Sequence, residues 1–368
     1  MWSDCHGLST RRQYVKNAIA IIGAGFTVVV AGLAVAGRII AGHVDPWQAR
    51  VAAAGLRAKT VRLGDVDLGY SEGPDNGPPL VLLHAQHMDR FSYSRVLPAL
   101  VKRFHVFDVD YPGHGTTVVP EGYPMTANRI GVDLAAFIET TIAGPAYVTG
   151  NSSGGLLTTW LAANRADLVR AIVLEDPPLF SAEYPRIKTT IADRSFATCS
   201  DAVRDDVDDF LLYWIHSNRA FFTSNVAPGA AFLLAQLVKA YRAARPGQPV
   251  DIGLLRNDTI RLFVRGMDQY DPRFGAAFHD GAWNLDFDHA EALAKISCPV
   301  LLMQANFSFL PDGTLNGAMT QEDADKAVSL LANGTYRKVD AAHVVHLSKP
   351  DIYIDVLHDF FLQPQQKV

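Results

Sequence analysis

The chain has 368 residues, 49% of them apolar and 19% charged, with a formal net charge of −5. That composition supports a large buried core and excludes a disordered chain. A mildly acidic balance also gives no electrostatic recruitment of nucleic acid or of an anionic membrane.

The first element is a leader. Thr10-Arg11-Arg12-Gln13-Tyr14-Val15-Lys16 places two adjacent arginines before residues 18–37, which carry no charge. A basic start, an apolar middle and the small-residue exit Ala34-Val35-Ala36 predict a secretory signal, similar to the twin-arginine type of bacteria. About 20 apolar residues also suit a retained membrane helix. Residues 1–42 are therefore read as an export signal or a membrane anchor, with the folded domain over 43–368. Either reading places the folded domain outside the cytoplasm, and membrane contact is expected only if the segment is retained. Of the three cysteines, Cys5 lies in the leader, Cys298 reads as a small buried hydrophobe, and the spacing of Cys199 and Cys298 demands no disulfide. No CxxC or HExxH pattern occurs, so neither metal nor cofactor is expected.

Residues 49–59 then read as an Ala-rich helical lead-in, and 60–63 with 66–71 alternate around Gly64-Asp65 as a hairpin. Short apolar runs follow at 80–83, 105–109, 146–149, 171–174 and 300–303, with a more polar one at 336–339. Such runs fit strands buried on both faces. Residues 127–142 carry Ile130, Leu134, Phe137 and Ile138 on one helical stripe, and 154–164, 321–332 and 351–362 are similar. Strand and helix in alternation predict an α/β protein with a mostly parallel, doubly wound sheet.

Residues 178–297 break that rhythm with about 120 residues of helical and loop character, rich in aromatic side chains. A structureless loop of that length is not expected, so the stretch is read as a helical cap over the sheet's C-terminal edge. Ligands bind at that edge in open α/β sheets. Phe180 and Trp283 are taken as pocket walls, with cap core as the competing reading.

The chemistry begins at Gly150-Asn151-Ser152-Ser153-Gly154-Gly155, between an expected strand and an expected helix. A tight strand-to-helix turn needs small neighbours and projects its serine hydroxyl outward, which selects Ser152 as nucleophile. A serine needs a base, and Ala341-Ala342-His343-Val344-Val345-His346-Leu347 follows the last strand, where that fold class places its histidine. His343 is assigned as the base and His346 as a packing or hydrogen-bonding neighbour. The orienting acid must lie near the same sheet edge. Glu175, in Val173-Leu174-Glu175-Asp176-Pro177-Pro178, is assigned, with Asp176 and Asp312 left as alternatives. An oxyanion hole needs two backbone N–H groups. Ser153 supplies one, and Gln86, in His84-Ala85-Gln86-His87-Met88, supplies the other. The turn Asp110-Tyr111-Pro112-Gly113-His114-Gly115 is read as architectural.

With these residues placed, the chain beyond the leader resembles the α/β hydrolases, and among them the bacterial zearalenone hydrolases, which open a macrocyclic resorcylic lactone. The resemblance rests on Gly150 to Leu157 with Trp160, on Glu175-Asp176-Pro177, and on Gln86 with Phe91-Ser92-Tyr93. Tyr270-Asp271-Pro272, residues 311–318 and the segment around His343 and His346-Leu347 add to it. It implies a glutamate as acid and so supports Glu175; His84, Ala85, His87 and the leader depart from it.

The expected activity is thus hydrolysis of a small carboxylic ester, a zearalenone-like lactone or an aromatic ester, through an acyl-enzyme. Two alternatives keep the same serine: cofactor-free carbon–carbon bond hydrolysis, and a ligand-binding homologue with negligible turnover. An aspartate-nucleophile hydrolase is disfavoured by Ser152 itself. Sequence leaves the substrate's identity and the oligomeric state open.

Overall fold

In the computed structural model the described residues are 45–253 and 258–362; the expected leader, 1–42, lies outside them. Helix α1 (Pro46–Ala53) starts on Asp45, whose side chain accepts from the Trp47 N–H. It is shorter than the lead-in expected over 49–59, because Gly55 at φ 90° turns the chain into β1 (Arg57–Leu63). Gly64 at φ 58° then closes the hairpin to β2 (Val66–Glu72).

The apolar runs form β3 (Pro79–Leu83), β4 (His105–Asp110), β5 (Ala146–Asn151), β6 (Val169–Glu175) and β7 (Val300–Gln304). A two-stranded ribbon of β8 (Ser308–Phe309) and β9 (Leu315–Asn316), unforeseen in the sequence, precedes β10 (Gly334–Lys338). The main sheet has eight strands in the order β1-β2-β4-β3-β5-β6-β7-β10. β2 is antiparallel to β1 and β4, and every other pairing is parallel. Side chains alternate between two cores, as the pleat requires. Val81, Leu83, Phe107, Val109, Ile172 and Leu174 enter one core, and Leu80, Leu82, Val106, Ala171 and Val173 enter the other.

Helices cover both faces. α2 (Ala127–Phe137), continued by a π-helical turn over Ile138–Ile142, packs with α3 (Ser153–Asn164) on the first core. Between β6 and β7 lie the helices α4 (Ile191–Arg204), α5 (Phe210–Ser217), α6 (Arg219–Asn225), α7 (Ala230–Ala244), α8 (Asp258–Met267), α9 (Pro272–Asp280) and α10 (His289–Lys295). α11 (Gln321–Leu330) follows the ribbon. α12 (Pro350–Leu362) closes the second core with Tyr353, Val356, Leu357 and Phe361. Among the described residues no helix is long and apolar enough to cross a membrane.

The inserted helices pack into the same core as the sheet's first face, and their packing corrects two expectations. Trp283, taken as a pocket wall, is fully buried, stacked on Phe278 at 4.3 Å and edge-on to Phe274 at 6.0 Å. Phe180, the second expected wall, is buried as well; its N–H donates to His289 Nδ1 at 2.9 Å, and the Lys326 ammonium lies 3.9 Å above its ring. Both hold the cap together rather than line the cavities beneath it. Trp283→Ala should therefore lower unfolding free energy by about 3–5 kcal/mol, read by urea denaturation.

Candidate active site

Ser152 is the single residue between β5 and α3, with φ 56° and ψ −121°. Holding a non-glycine residue there costs about 1–3 kcal/mol. The neighbours enforce it: Ser152 N–H donates to the Glu175 carbonyl at 3.0 Å, and the Ser152 carbonyl accepts from Leu156 N–H at 3.1 Å. The glycines of the motif are required by close approach. A Cβ on Gly154 would overlap the Leu83 and His84 carbonyl oxygens, and one on Gly150 would overlap the Gly154 carbonyl.

His343 lies beyond β10, ahead of a single helical turn, Val345–Ser348. Its Nδ1 is 2.7 Å from Asp176 Oδ2, which fixes the tautomer and leaves Nε2 as the basic nitrogen. Asp176 is itself tied down: its N–H donates to the Met303 carbonyl at 2.8 Å, and its Oδ1 accepts from Ala305 N–H at 3.0 Å. Burial pulls the His343 pKa down. The hydrogen bond and charge of Asp176, with the charge of Glu175, more than reverse that, so the net shift is upward from 6.5.

The acid on His343 is thus Asp176 and not Glu175, the residue assigned from the sequence. Glu175 is the last residue of β6 and shares the face of Val173, so its side chain enters the core under α12. There it meets His346 Nδ1 at 2.8 Å and the His346 N–H at 2.9 Å. Asp176 is past the strand's end, and its φ of 45° swings the next carboxylate toward the sheet edge. The other alternative, Asp312, is exposed near the tip of the β8–β9 ribbon and pairs with Arg194 at 3.3 Å, away from His343.

Gln86 and Ser153 line the same cavity as Ser152 and His343. Neither backbone N–H has an acceptor among the described residues, as an oxyanion site requires. Two tyrosines that sequence reasoning did not assign hold this part of the site. Tyr111 OH donates to the His84 carbonyl at 3.1 Å and sits 2.9 Å from Ser153 Oγ, so the glycine-rich turn read as architectural reaches the elbow. The Gln86 side chain donates to Tyr270 OH at 2.8 Å, joining this loop to the cap. Tyr270 stood in a motif the resemblance used, which was its signal. Burial holds His84 and His114 below the usual imidazole pKa and His87 down at about 3. The loop is accordingly uncharged at neutral pH. Among the described residues no group of His, Cys, Asp and Glu is arranged to hold a metal ion.

A doubly wound sheet, a strained serine at a strand-to-helix turn and an acid-paired imidazole on the same cavity define the α/β-hydrolase class. The family model described as alpha/beta hydrolase fold matches residues 78–350, and the chain belongs to that family. It is 22% identical to a pyrrolizixenacetamide deacetylase of Xenorhabdus hominickii over 306 residues, covering 82% of this chain and 97% of that protein. A hydrolase from Pseudomonas aeruginosa PA01 superposes with a TM-score of 0.59 at 20% identity, covering 83% of this chain and 99% of the other. The enol-lactonase from Burkholderia xenovorans LB400 does so with a TM-score of 0.54 at 19% identity, covering 83% and 100%.

Two results are expected in steady-state kinetics on any substrate the protein hydrolyses. Asp176→Asn should cut kcat by about 10⁴-fold, the loss typical when an imidazole's orienting carboxylate becomes an amide, whereas Asp312→Asn should leave it unchanged. The base works only when neutral, so kcat/KM should rise with pH through an apparent pKa above 6.5.

Proposed function

We propose that this protein hydrolyses a carboxylic ester whose groups on both sides of the scissile bond are uncharged, a lactone or an aromatic ester, through an acyl-enzyme on Ser152. The observation that carries this reading is the Asp176–His343 pair opening onto the same uncharged space as Ser152. Two cavities, of about 190 and 370 Å³, meet there and share Gln86, Ser152, Ala192, Phe196 and His343. Ile187, Ile191 and Phe278 wall the first, and Met88, Phe263 and Val344 the second. Neither lining contains Asp, Glu, Lys or Arg, so a charged substrate would be desolvated without a counter-ion.

In this reading Ser152 Oγ attacks the ester carbonyl as its proton passes to His343 Nε2. The carbonyl oxygen becomes negative against the Gln86 and Ser153 N–H groups. Collapse re-forms the carbonyl and breaks the bond from the acyl carbon to the alkoxy oxygen, and the proton on His343 goes to that departing oxygen. Water then enters and gives a proton to His343 as its oxygen attacks the acyl carbon, and His343 returns that proton to Ser152 Oγ as the acyl–serine bond breaks. Asp176 keeps its negative charge throughout and stabilises the transient imidazolium. The resemblance to zearalenone hydrolases makes a macrocyclic resorcylic lactone the first substrate to test. The arginine pair and apolar stretch of residues 1–42 support export or membrane anchoring, which N-terminal sequencing of the mature protein distinguishes.

Ser152→Ala should lower kcat by about 10⁶-fold and abolish labelling by a fluorophosphonate. A hydrolysis panel of zearalenone, simple lactones, neutral aryl esters and dicarboxylic monoesters should favour the neutral compounds. Preference for the charged monoesters, or undiminished turnover by Ser152→Ala, contradicts the proposal.

A further inference from the structure

Glu175 and His346 form a second acid–imidazole pair, one residue before Asp176 and three after His343 but buried in the core under α12. We infer that Glu175, His346 and Tyr93 act as a positioning clamp, locking the acid turn, the histidine loop and the oxyanion loop to one another without touching substrate. The inference rests on the reading of Ser152 and His343 as the reacting pair.

The contacts run through all of these segments. Glu175 Oε1 and Oε2 lie 2.9 and 2.8 Å from His346 Nδ1, and Oε1 also accepts the His346 backbone N–H at 2.9 Å. The His346 ring stacks on Tyr93 with centroids 4.0 Å apart and planes 26° apart. Tyr93 OH donates to the carbonyl of Leu83 at 3.0 Å, the last residue of β3 and three positions before Gln86. The Glu175 carbonyl meanwhile takes the Ser152 N–H at 3.0 Å and Asn151 Nδ2 at 3.0 Å. Asn151 Nδ2 is also 3.1 Å from the His343 carbonyl. Nucleophile, base, acid and oxyanion donor thus hang from one buried set of directional bonds. Glu175, His346 and Tyr93 are each 0% exposed, and none lines either cavity.

Stability alone gives a poor reason for such a pair. Well-packed apolar residues of the same volume stabilise a core as well as a buried ion pair, or better. What apolar residues lack is direction, and a shift of about 1 Å at reacting atoms can cost about 10²-fold in rate. His346 Nε2 is buried without a partner, and the charge of Glu175 favours the cationic form of His343.

The test compares Glu175→Gln and Tyr93→Phe with the wild-type protein, with active sites counted by end-point fluorophosphonate titration. For Glu175→Gln, kcat per titrated site should fall about 10–100-fold with KM within about twofold, as for loss of an interaction felt only in the transition state. Its acid limb in the pH profile of kcat/KM should move to lower pH, since a charge favouring the His343 cation is gone. Tyr93→Phe keeps the stack and loses the Leu83 bond, so kcat per site should fall while the acid limb stays. Fewer titratable sites with unchanged kcat per site and an unchanged pH profile means a purely structural role and overturns the inference. If Glu175→Gln yields no folded protein, Tyr93→Phe decides alone by the same kcat criterion. Persistent labelling of Ser152→Ala would instead sink the underlying reading of the reacting pair.

Discussion

The hydrogen bond between His343 and Asp176 joins residues 167 positions apart at 2.7 Å, and the rest of the site is arranged around it. Asp176 sits where it does because β6 pairs with β7, since its own backbone and carboxylate are held by Met303 and Ala305 at the end of that neighbour. His343 sits where it does because β10 pairs with β7 on the other side. The central parallel strands therefore deliver Asp176, His343 and, through β5, Ser152 to one edge. No local propensity could assemble three groups from such distant segments; register between strands does it. The cost is a strained turn at Ser152 and a buried carboxylate at Asp176, both tolerated because backbone bonds surround them.

Much of this was legible in the sequence, for physical reasons that also mark the limits. A strand buried on both faces must be apolar at nearly every position, so 80–83 and 300–303 announced themselves. Glycine spacing at 150–155 reported backbone contacts too close for any Cβ. The choice between Glu175 and Asp176 was not readable. Adjacent residues at a strand end diverge, and which one faces the edge depends on where β6 stops and on the turn at Asp176. A glutamate within the second core looks, in sequence, like a strand-end acid that faces outward.

Aromatic side chains of the cap failed in the same way. Period and composition said that the insertion is helical and aromatic, without saying which ring faces inward. Trp283 and Phe180 went to the cap core, while Phe196 and Phe278, stacked at 5.1 Å, reach the cavity from α4 and α9. The β8–β9 ribbon was invisible because two-residue strands carry no periodicity.

The cap is more than a lid laid over the sheet. Asp271 N–H donates to the Gly113 carbonyl at 2.9 Å, and Tyr270 OH accepts from Gln86 Nε2 at 2.8 Å. The loop that carries Gln86 is consequently tied to the cap on one side and, through Leu83 and Tyr93, to the sheet's second core on the other. Gln86 cannot move without disturbing one of those attachments. A donor held from both sides requires little reorganisation as negative charge develops on a substrate oxygen, which is the condition under which a backbone N–H lowers a barrier most. Through Tyr270 the helices that wall the pocket therefore also hold the Gln86 loop, so one set of cap contacts bears on both.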